Sequence, residues 1–437
     1  MSRKKVNVIS LGCSKNLIDS ERIMKMLADA GFTPTHNDSF DCGADVTVIN
    51  TCGFIGDAKE ESVNTILEAI EAKQSGLTDR IFVMGCLSQR YRQELPVEIP
   101  EVDGWFGKTD WGGIVSSLVG KYPATASYDR IITTPRHHAY LKIAEGCNRF
   151  CSFCAIPLIT GRYHSRSEEE IVDEVKSLVA SGVKEFNVIA QDLTNYGVDL
   201  YGKQRIASLV DKIANVDGVR WIRLHYAYPA GFPDNLLDVM SIHDNVCKYL
   251  DIALQHASDK VLGNMRRHIT CEETERLLDR IREKVPGIHI RTTLMVGFPG
   301  EGEEEFNELM EFAARQRFER MGAFAYCEEE DTYGAKHFSD DIPEEVKQNR
   351  LDRLMALQEE ISNELQQSKI GKIFKVIVDR EEPDYYVGRT EFDSPEVDPE
   401  VLIEKTAKLK TGEFYDVEIT DALPFELIAR PTDVSAR

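Results

Sequence analysis

The sequence predicts an α/β protein in three parts. These are an N-terminal parallel-sheet α/β domain, a central open six-strand (βα) partial TIM barrel, and a small C-terminal antiparallel β-barrel. Three observations predict this. Apolar, β-branched runs alternate with segments of helical period through most of the chain. Beyond residue 135 there are six such strand–helix units, short of the eight that close a barrel. Beyond residue 368 only strand-like runs remain.

The length of 437 residues is enough for two or three domains with their own cores. The net charge is −22, from 52 basic and 74 acidic side chains. Such a surface argues against direct nucleic-acid binding and suits a basic partner. No apolar run is long enough to span a membrane. The opening M-S-R-K-K-V-N-V-I-S-L-G-C reads as a first strand, not as a signal peptide. Ten cysteines in a chain of this size are too few for a disulfide scaffold. Their position at turns points to metal ligation in a reducing compartment, hence to the cytoplasm.

In residues 1–130, three apolar runs each end in a cysteine: V-N-V-I-S-L-G-C at Cys13, D-V-T-V-I-N-T-C at Cys52 and I-F-V-M-G-C at Cys86. Helical segments at Ser20–Ala30 and Ala58–Lys73 lie between them. Strand–helix–strand alternation makes a parallel sheet with right-handed crossovers. Its strands all end at one edge, where ligands bind. Cys13, Cys52 and Cys86 are therefore expected to converge. One buried thiol at a strand end is ordinary, whereas three in this arrangement read as a cluster site. Cys42 ends no apolar run and is left out. A linker with Pro123, Ser127 and Pro135 runs from about Gly120 to Pro135.

In residues 135–368, strands are expected at Tyr140–Ala144, Phe186–Ala190, Val219–Tyr226, Tyr249–Leu254, Ile288–Val296 and Gly322–Tyr326. Helices are expected at Glu168–Ala180, Ile206–Ala214, Asn235–Ile242, Glu272–Val285 and Glu303–Arg315, with Ser167 and Glu170 as a capping box. The loop after the first strand reads E-G-C-N-R-F-C-S-F-C and places Cys147, Cys151 and Cys154 in a C-x3-C-x2-C spacing. Thiolates are soft ligands for iron–sulfur clusters or zinc. A four-iron cubane held by three cysteines keeps one iron open to a small molecule. A structural zinc site would instead need a fourth ligand, for which His164 is a candidate. Polar residues at strand ends are candidates for holding that molecule: Gln191 and Asp192, Gln255 and His256, and Arg291 and Thr293 within the fifth strand. The turn V-G-F-P-G-E contributes Gly297, where a backbone can approach a ligand closely. Cys247, Cys271 and Cys327 are expected to be structural. The acidic runs E-G-E-E-E and C-E-E-E-D are expected to be solvated faces and helix starts. A long amphipathic helix over Pro343–Ile370 leads out of the barrel.

Residues 369–437 hold five short strand-like runs, the pattern of a small barrel. Residues 368–437 carry ten Lys or Arg and sixteen Asp or Glu, the wrong sign for a phosphate backbone.

Taken together, L-G-C at Cys13, N-T-C at Cys52, M-G-C at Cys86, E-G-C-N-R-F-C-S-F-C and V-G-F-P-G-E resemble the methylthiotransferase family of radical S-adenosylmethionine enzymes over the whole chain. The C-terminal part is similar to that family's TRAM domain. The resemblance implies two 4Fe–4S clusters, one on Cys147, Cys151 and Cys154 and an auxiliary one on Cys13, Cys52 and Cys86. It implies S-adenosyl-L-methionine as cofactor, chelating the open iron and yielding a 5′-deoxyadenosyl radical. Gln191, Asp192, Gln255, Arg291 and Gly297 are the expected cofactor contacts. No side chain is singled out as an acid, base or nucleophile, because the cofactors carry the chemistry. S-L-G-C-S-K-N-L-I-D-S-E, V-I-A-Q-D and L-Q-H-A-S look like the RimO-type branch, which modifies an aspartate of small-subunit ribosomal protein twelve. An electron donor and a sulfur donor are then further partners. The alternatives are the MiaB-type branch, which modifies a tRNA adenosine, and a non-catalytic iron–sulfur carrier.

Overall fold

The computed structural model describes residues 4–121 and 128–432. The linker residues Pro123 and Ser127 lie outside the described residues.

The first sheet contains β1 (Lys5–Ser10), β2 (Thr33–His36), β3 (Val46–Thr51), β4 (Arg80–Gly85) and β5 (Gly104–Trp105). All pair in parallel, in the order β2-β1-β3-β4-β5. Every residue of β3 is buried, as expected for a central strand with helices on both faces. The helices Ser14–Asp29 and Gly56–Gln74 make the crossovers. The first begins directly after Cys13, six residues before the start expected at Ser20.

Strand β6 (His138–Lys142) opens the second sheet. A short antiparallel pair, β7 (Ala144–Glu145) and β8 (His164–Ser165), brackets the three-cysteine loop. Then come β9 (Glu185–Ile189), β10 (Trp221–Ala227), β11 (Val246–Gln255), β12 (His289–Val296) and β13 (Arg320–Ala325). The six-stranded order β13-β12-β11-β10-β9-β6 is parallel throughout and follows the chain, the curl of a partial barrel. The helices Glu168–Ala180 and Ile206–Ala214 stand where the periodicity placed them, and the Ser167–Glu170 capping box is formed. Leucine, isoleucine and valine from these helices meet the outer strand faces in one large core.

The inner face is polar and is closed from below by the C-terminal barrel. That barrel comprises β14 (Ile373–Glu381), β15 (Tyr385–Thr390), β16 (Glu400–Glu404), β17 (Phe414–Leu423) and β18 (Glu426–Pro431), closed in the order β14-β15-β16-β18-β17. The β16–β18 pair is parallel. An odd number of strands in a ring cannot alternate direction throughout, so one parallel pair is required. Glu185 of β9 is fully buried, between Arg389 of the C-terminal barrel (2.8 Å) and Arg223 of β10 (3.1 Å). Arg320 meets Asp393 at 2.6 Å, and the Tyr249 hydroxyl donates to Asp398 at 2.7 Å. Cys247 is buried at the same junction with Trp221 and Ile377.

The acidic runs correct one expectation. Glu301 and Glu329 are buried, not solvated. Glu301 pairs with Arg350 at 2.8 Å, and Glu329 with Arg90 at 2.8 Å and Lys59 at 3.0 Å. Glu329 thereby fastens the barrel to the N-terminal domain. Glu303 begins a helix as expected.

Candidate active site

Three loops of the first sheet meet at its carboxyl edge. Gly12 has φ +83°, and a Cβ there would lie 2.7 Å from the Cys52 Cβ. Gly85 has φ +105°, and its Cβ would lie 2.4 Å from the Thr51 carbonyl. Only glycine permits both the conformation and the approach. The Cys52 backbone is pinned by Ser62 of the second crossover helix, which accepts its N–H at 3.0 Å and donates to its carbonyl at 2.9 Å. Asn16, on the first turn of its helix, ties the loops together. Its Nδ2 donates to the Leu11 and Thr51 carbonyls, each at 3.0 Å, and Cys86 Sγ lies 3.6 Å from its Oδ1.

The three-cysteine loop is held from several strands. Ser152 donates its N–H to the Met265 carbonyl at 3.0 Å and accepts from the Gly334 N–H at 2.6 Å. Arg149 reaches Asp192, past the end of β9, at 2.5 Å. Arg267 donates to Cys151 Sγ at 3.2 Å, and the Arg149 N–H to Cys147 Sγ at 3.5 Å. Such donors lower the charge density on a sulfur ligand. The helix Ser14–Asp29 brings the two cysteine sets face to face. Its Asp19 meets Lys142 of β6 at 2.5 Å, and Ile18 packs with Tyr140 and Ile189. Lys108 joins Glu145 at 2.7 Å. Burial acts to raise the Glu145 pKa, but Lys142 and Lys108 outweigh it and hold this carboxyl well below the usual range.

The result is one cavity of about 330 Å³ lined by Cys13, Cys52, Cys86, Cys147, Cys151 and Cys154. Its lining among the described residues includes four cations, Lys15, Lys108, Arg149 and Arg267, and no carboxylate or histidine. Burial pushes the Cys86 thiol up to about 12 and the Cys147 thiol up to about 11, and raises Cys52 and Cys154 as well. Thiols held protonated by burial ionise when a metal replaces the proton. An all-sulfur donor set in a cationic pocket of an acidic protein fits anionic iron–sulfur thiolate clusters. It does not fit a closed zinc site: His164 is exposed on β8 and does not line the cavity.

Gln191 and Gln255 line this cavity, whereas Asp192, Arg291 and Gly297 do not. The Asp192 carboxylate is taken up by Arg149 and Thr194. The Gly297 N–H donates to the Glu301 carboxylate at 3.0 Å, which also approaches His256 at 3.1 Å, so the turn is closed on itself. Arg291 lines a second cavity of about 200 Å³ at the junction of all three parts, with Asp251, Glu396 and Val397. That cavity shares Cys13 and Tyr226 with the first. Tyr226 and Gln255 both have positive φ, +63° and +75°, at the carboxyl ends of β10 and β11. Strain of this kind collects at functional sites. Asn16, Lys108, Arg267 and Tyr228 were not singled out from the sequence. None of them stands at a metal-ligand spacing or at the end of an expected strand.

Family models match in the same three blocks: "Uncharacterized protein family UPF0004" over residues 5–107, "Radical SAM superfamily" over 141–313 and "TRAM domain" over 370–431. A protein of Phocaeicola vulgatus named ribosomal protein uS12 methylthiotransferase RimO is 60% identical over 430 residues, covering 98% of this chain and 99% of that one. One of the same name from Christiangramia forsetii is 51% identical over 436 residues, covering 100% of this chain and 96% of that one. Among solved structures, the radical S-adenosylmethionine methyltransferase TsrM from Kitasatospora setae superposes with a TM-score of 0.57 at 17% identity, over 74% of this chain and 72% of that one. That likeness concerns the fold. With full-length relatives this similar, the chain belongs to the RimO family of radical S-adenosylmethionine methylthiotransferases.

Proposed function

We propose that this enzyme attaches a methylthio group to the β-carbon of an aspartate in small-subunit ribosomal protein twelve, using two 4Fe–4S clusters. The observation that carries this reading is that two sets of three cysteines face one cationic cavity. Cys147, Cys151 and Cys154 would hold the radical cluster and Cys13, Cys52 and Cys86 the auxiliary one. When bound, the clusters and S-adenosylmethionine supply a carbon radical and a sulfur source, which removal of an unactivated hydrogen requires. The chain's residues position and insulate. Gln191 and Gln255 offer hydrogen bonds from the cavity wall, while Lys15 and Arg149 offer charge to a carboxylate. Asp192 positions Arg149. Phe54, Phe153 and Tyr228 keep water from a reactive carbon. We place the way in for the substrate loop at the second cavity, which shares Cys13 with the first and reaches Glu396 and Val397 of the C-terminal barrel. Residues 1–130, 135–368 and 369–437 would thus divide the work into sulfur insertion, radical generation and substrate reception.

The test is iron content and cofactor cleavage after anaerobic reconstitution. Replacing Cys147, Cys151 and Cys154 by alanine removes one cluster's iron and abolishes 5′-deoxyadenosine formation. Replacing Cys13, Cys52 and Cys86 removes as much iron but preserves 5′-deoxyadenosine. Retention of all iron by the second variant refutes the auxiliary site.

A further inference from the structure

We infer that Lys15 binds the carboxylate of the aspartate to be modified. It thereby selects an acidic residue and places the β-carbon beside the auxiliary cysteine set. This rests on the proposed aspartate substrate and adds the residue that recognises it.

Of the four cations that line the central cavity, three are already engaged. Lys108 meets Glu145 at 2.7 Å and Asp19 at 3.5 Å. Arg149 meets Asp192 at 2.5 Å. Arg267 donates to Cys151 Sγ at 3.2 Å and to the Ala253 carbonyl. Lys15 is different. It is only 5% exposed, yet its ammonium has no oxygen or sulfur acceptor among the described residues. Its Nζ lies 3.5 Å from the ring centroid of Tyr226. A ring face offsets part of an ammonium's lost hydration and leaves its three donors unfilled. Tyr226 and Cys13 line both cavities, so the ammonium stands where the two join. Lys15 is also in the first turn of the helix Ser14–Asp29. The N-cap residue Cys13 makes no side-chain cap hydrogen bond, and that turn holds no acid. The positive end of the helix therefore adds to the charge of the ammonium.

The carboxylate of an aspartate is bonded directly to the β-carbon that receives the sulfur. A charge-assisted hydrogen bond from Nζ holds that carbon within about 5 Å of the ammonium. Lys15 stands two residues from Cys13 in the chain, so the same bond brings the carbon to the Cys13 side of the cavity. The lining has no carboxylate of its own to compete. An asparagine or a neutral base brings no anion and leaves the buried ammonium unpaired, which weakens its binding. Lys15 moves no proton and breaks no bond; it binds and orients.

The test is a double-mutant cycle on reconstituted holoenzyme. Lys15→Met is made in the enzyme, and the target aspartate of ribosomal protein twelve is changed to asparagine. Binding is read by fluorescence anisotropy of the labelled ribosomal protein. Methylthio groups are counted against 5′-deoxyadenosine by mass spectrometry. Lys15→Met should bind the aspartate protein roughly 10- to 100-fold more weakly. Its KM should rise by the same factor, with fewer methylthio groups per 5′-deoxyadenosine. The asparagine protein should bind wild type about as weakly, and Lys15→Met no more weakly still. Lys15→Arg should restore part of the binding, since a guanidinium also pairs with a carboxylate. The asparagine arm leaves the enzyme untouched, so a folding defect does not mimic the result. Losses that multiply independently, or an unchanged KM, overturn the inference. Loss of iron from Lys15→Met would make the residue a counter-ion of the auxiliary site. Loss of 5′-deoxyadenosine formed without substrate would assign it to the cofactor. Either result overturns the inference too. If wild type modifies no aspartate, the substrate reading falls with it; if wild type does and the cycle shows no coupling, this inference alone falls.

Discussion

Replacing Asn16 by alanine should loosen the auxiliary cysteine site selectively. Asn16 is 1% exposed, and its Nδ2 is shared by two carbonyls, Leu11 beside Gly12 and Thr51 beside Cys52. Alanine leaves both carbonyls without that donor inside the protein. Two lost hydrogen bonds with buried acceptors left unpaired cost roughly 2–4 kcal/mol. That makes opening of the three loops roughly 30- to 1,000-fold more frequent. The assay has two arms. Urea unfolding of cluster-free protein, followed by fluorescence of Trp105 and Trp111 in the N-terminal part, should show an earlier transition. Reconstituted variant should hold iron for one cluster only and still form 5′-deoxyadenosine. An unchanged transition with full iron would refute the reasoning. So would loss of 5′-deoxyadenosine, since Asn16 would then serve the radical site.

Four further outcomes follow from the same geometry. Arg389→Ala removes a partner of buried Glu185 and should destabilise by about 3–5 kcal/mol, read as an early melting transition in circular dichroism; deletion of residues 368–437 should yield insoluble protein for the same reason. Burial acts to raise the Glu185 and Asp393 pKa values, but the neighbouring Arg389 and Arg320 outweigh it and bring both to about 2. A depressed folded pKa stabilises above the unfolded value, so this contribution should be complete above about pH 4.5 and disappear as pH falls toward 2, as acid titration of the melting temperature would show. Glu396→Lys should raise KM for a basic protein substrate several-fold and spare 5′-deoxyadenosine formation, because Glu396 lines the second cavity and not the first; an unchanged KM would remove that cavity from the substrate route.

The central sheet was legible because each of its strands buries a β-branched run on its outer face, and the helices over them have clear apolar stripes. Convergence of Cys13, Cys52 and Cys86 followed from parallel topology alone. β2 was missed because T-P-T-H is a short edge strand with no apolar alternation. The start of the first helix was missed because Lys15, Asn16, Asp19 and Glu21 are polar and yet buried. Lys15 and Asp19 face the next domain at Tyr226 and Lys142, Glu21 meets Arg130, and Asn16 ties together loops of its own sheet; hydrophobic periodicity does not register such polar contacts. Among the candidate cofactor contacts, sequence position gave the strand end but not the direction of the side chain. Gln191 and Gln255 face the cavity, Asp192 is claimed by Arg149, and Arg291 lies between Asp251 at 3.5 Å and Asp398 at 3.4 Å. Those partners lie 40 and 107 residues away, beyond the reach of local pattern.

Mass spectrometry of small-subunit ribosomal protein twelve after incubation with reconstituted enzyme, S-adenosylmethionine and a reductant tests the central claim most directly. The account predicts a gain of one methylthio group on an aspartate. It predicts no gain with the Cys13, Cys52 and Cys86 triple variant, even though that variant still forms 5′-deoxyadenosine. A methylthiolated tRNA adenosine with an untouched aspartate, or modification of the aspartate by the triple variant, would contradict it.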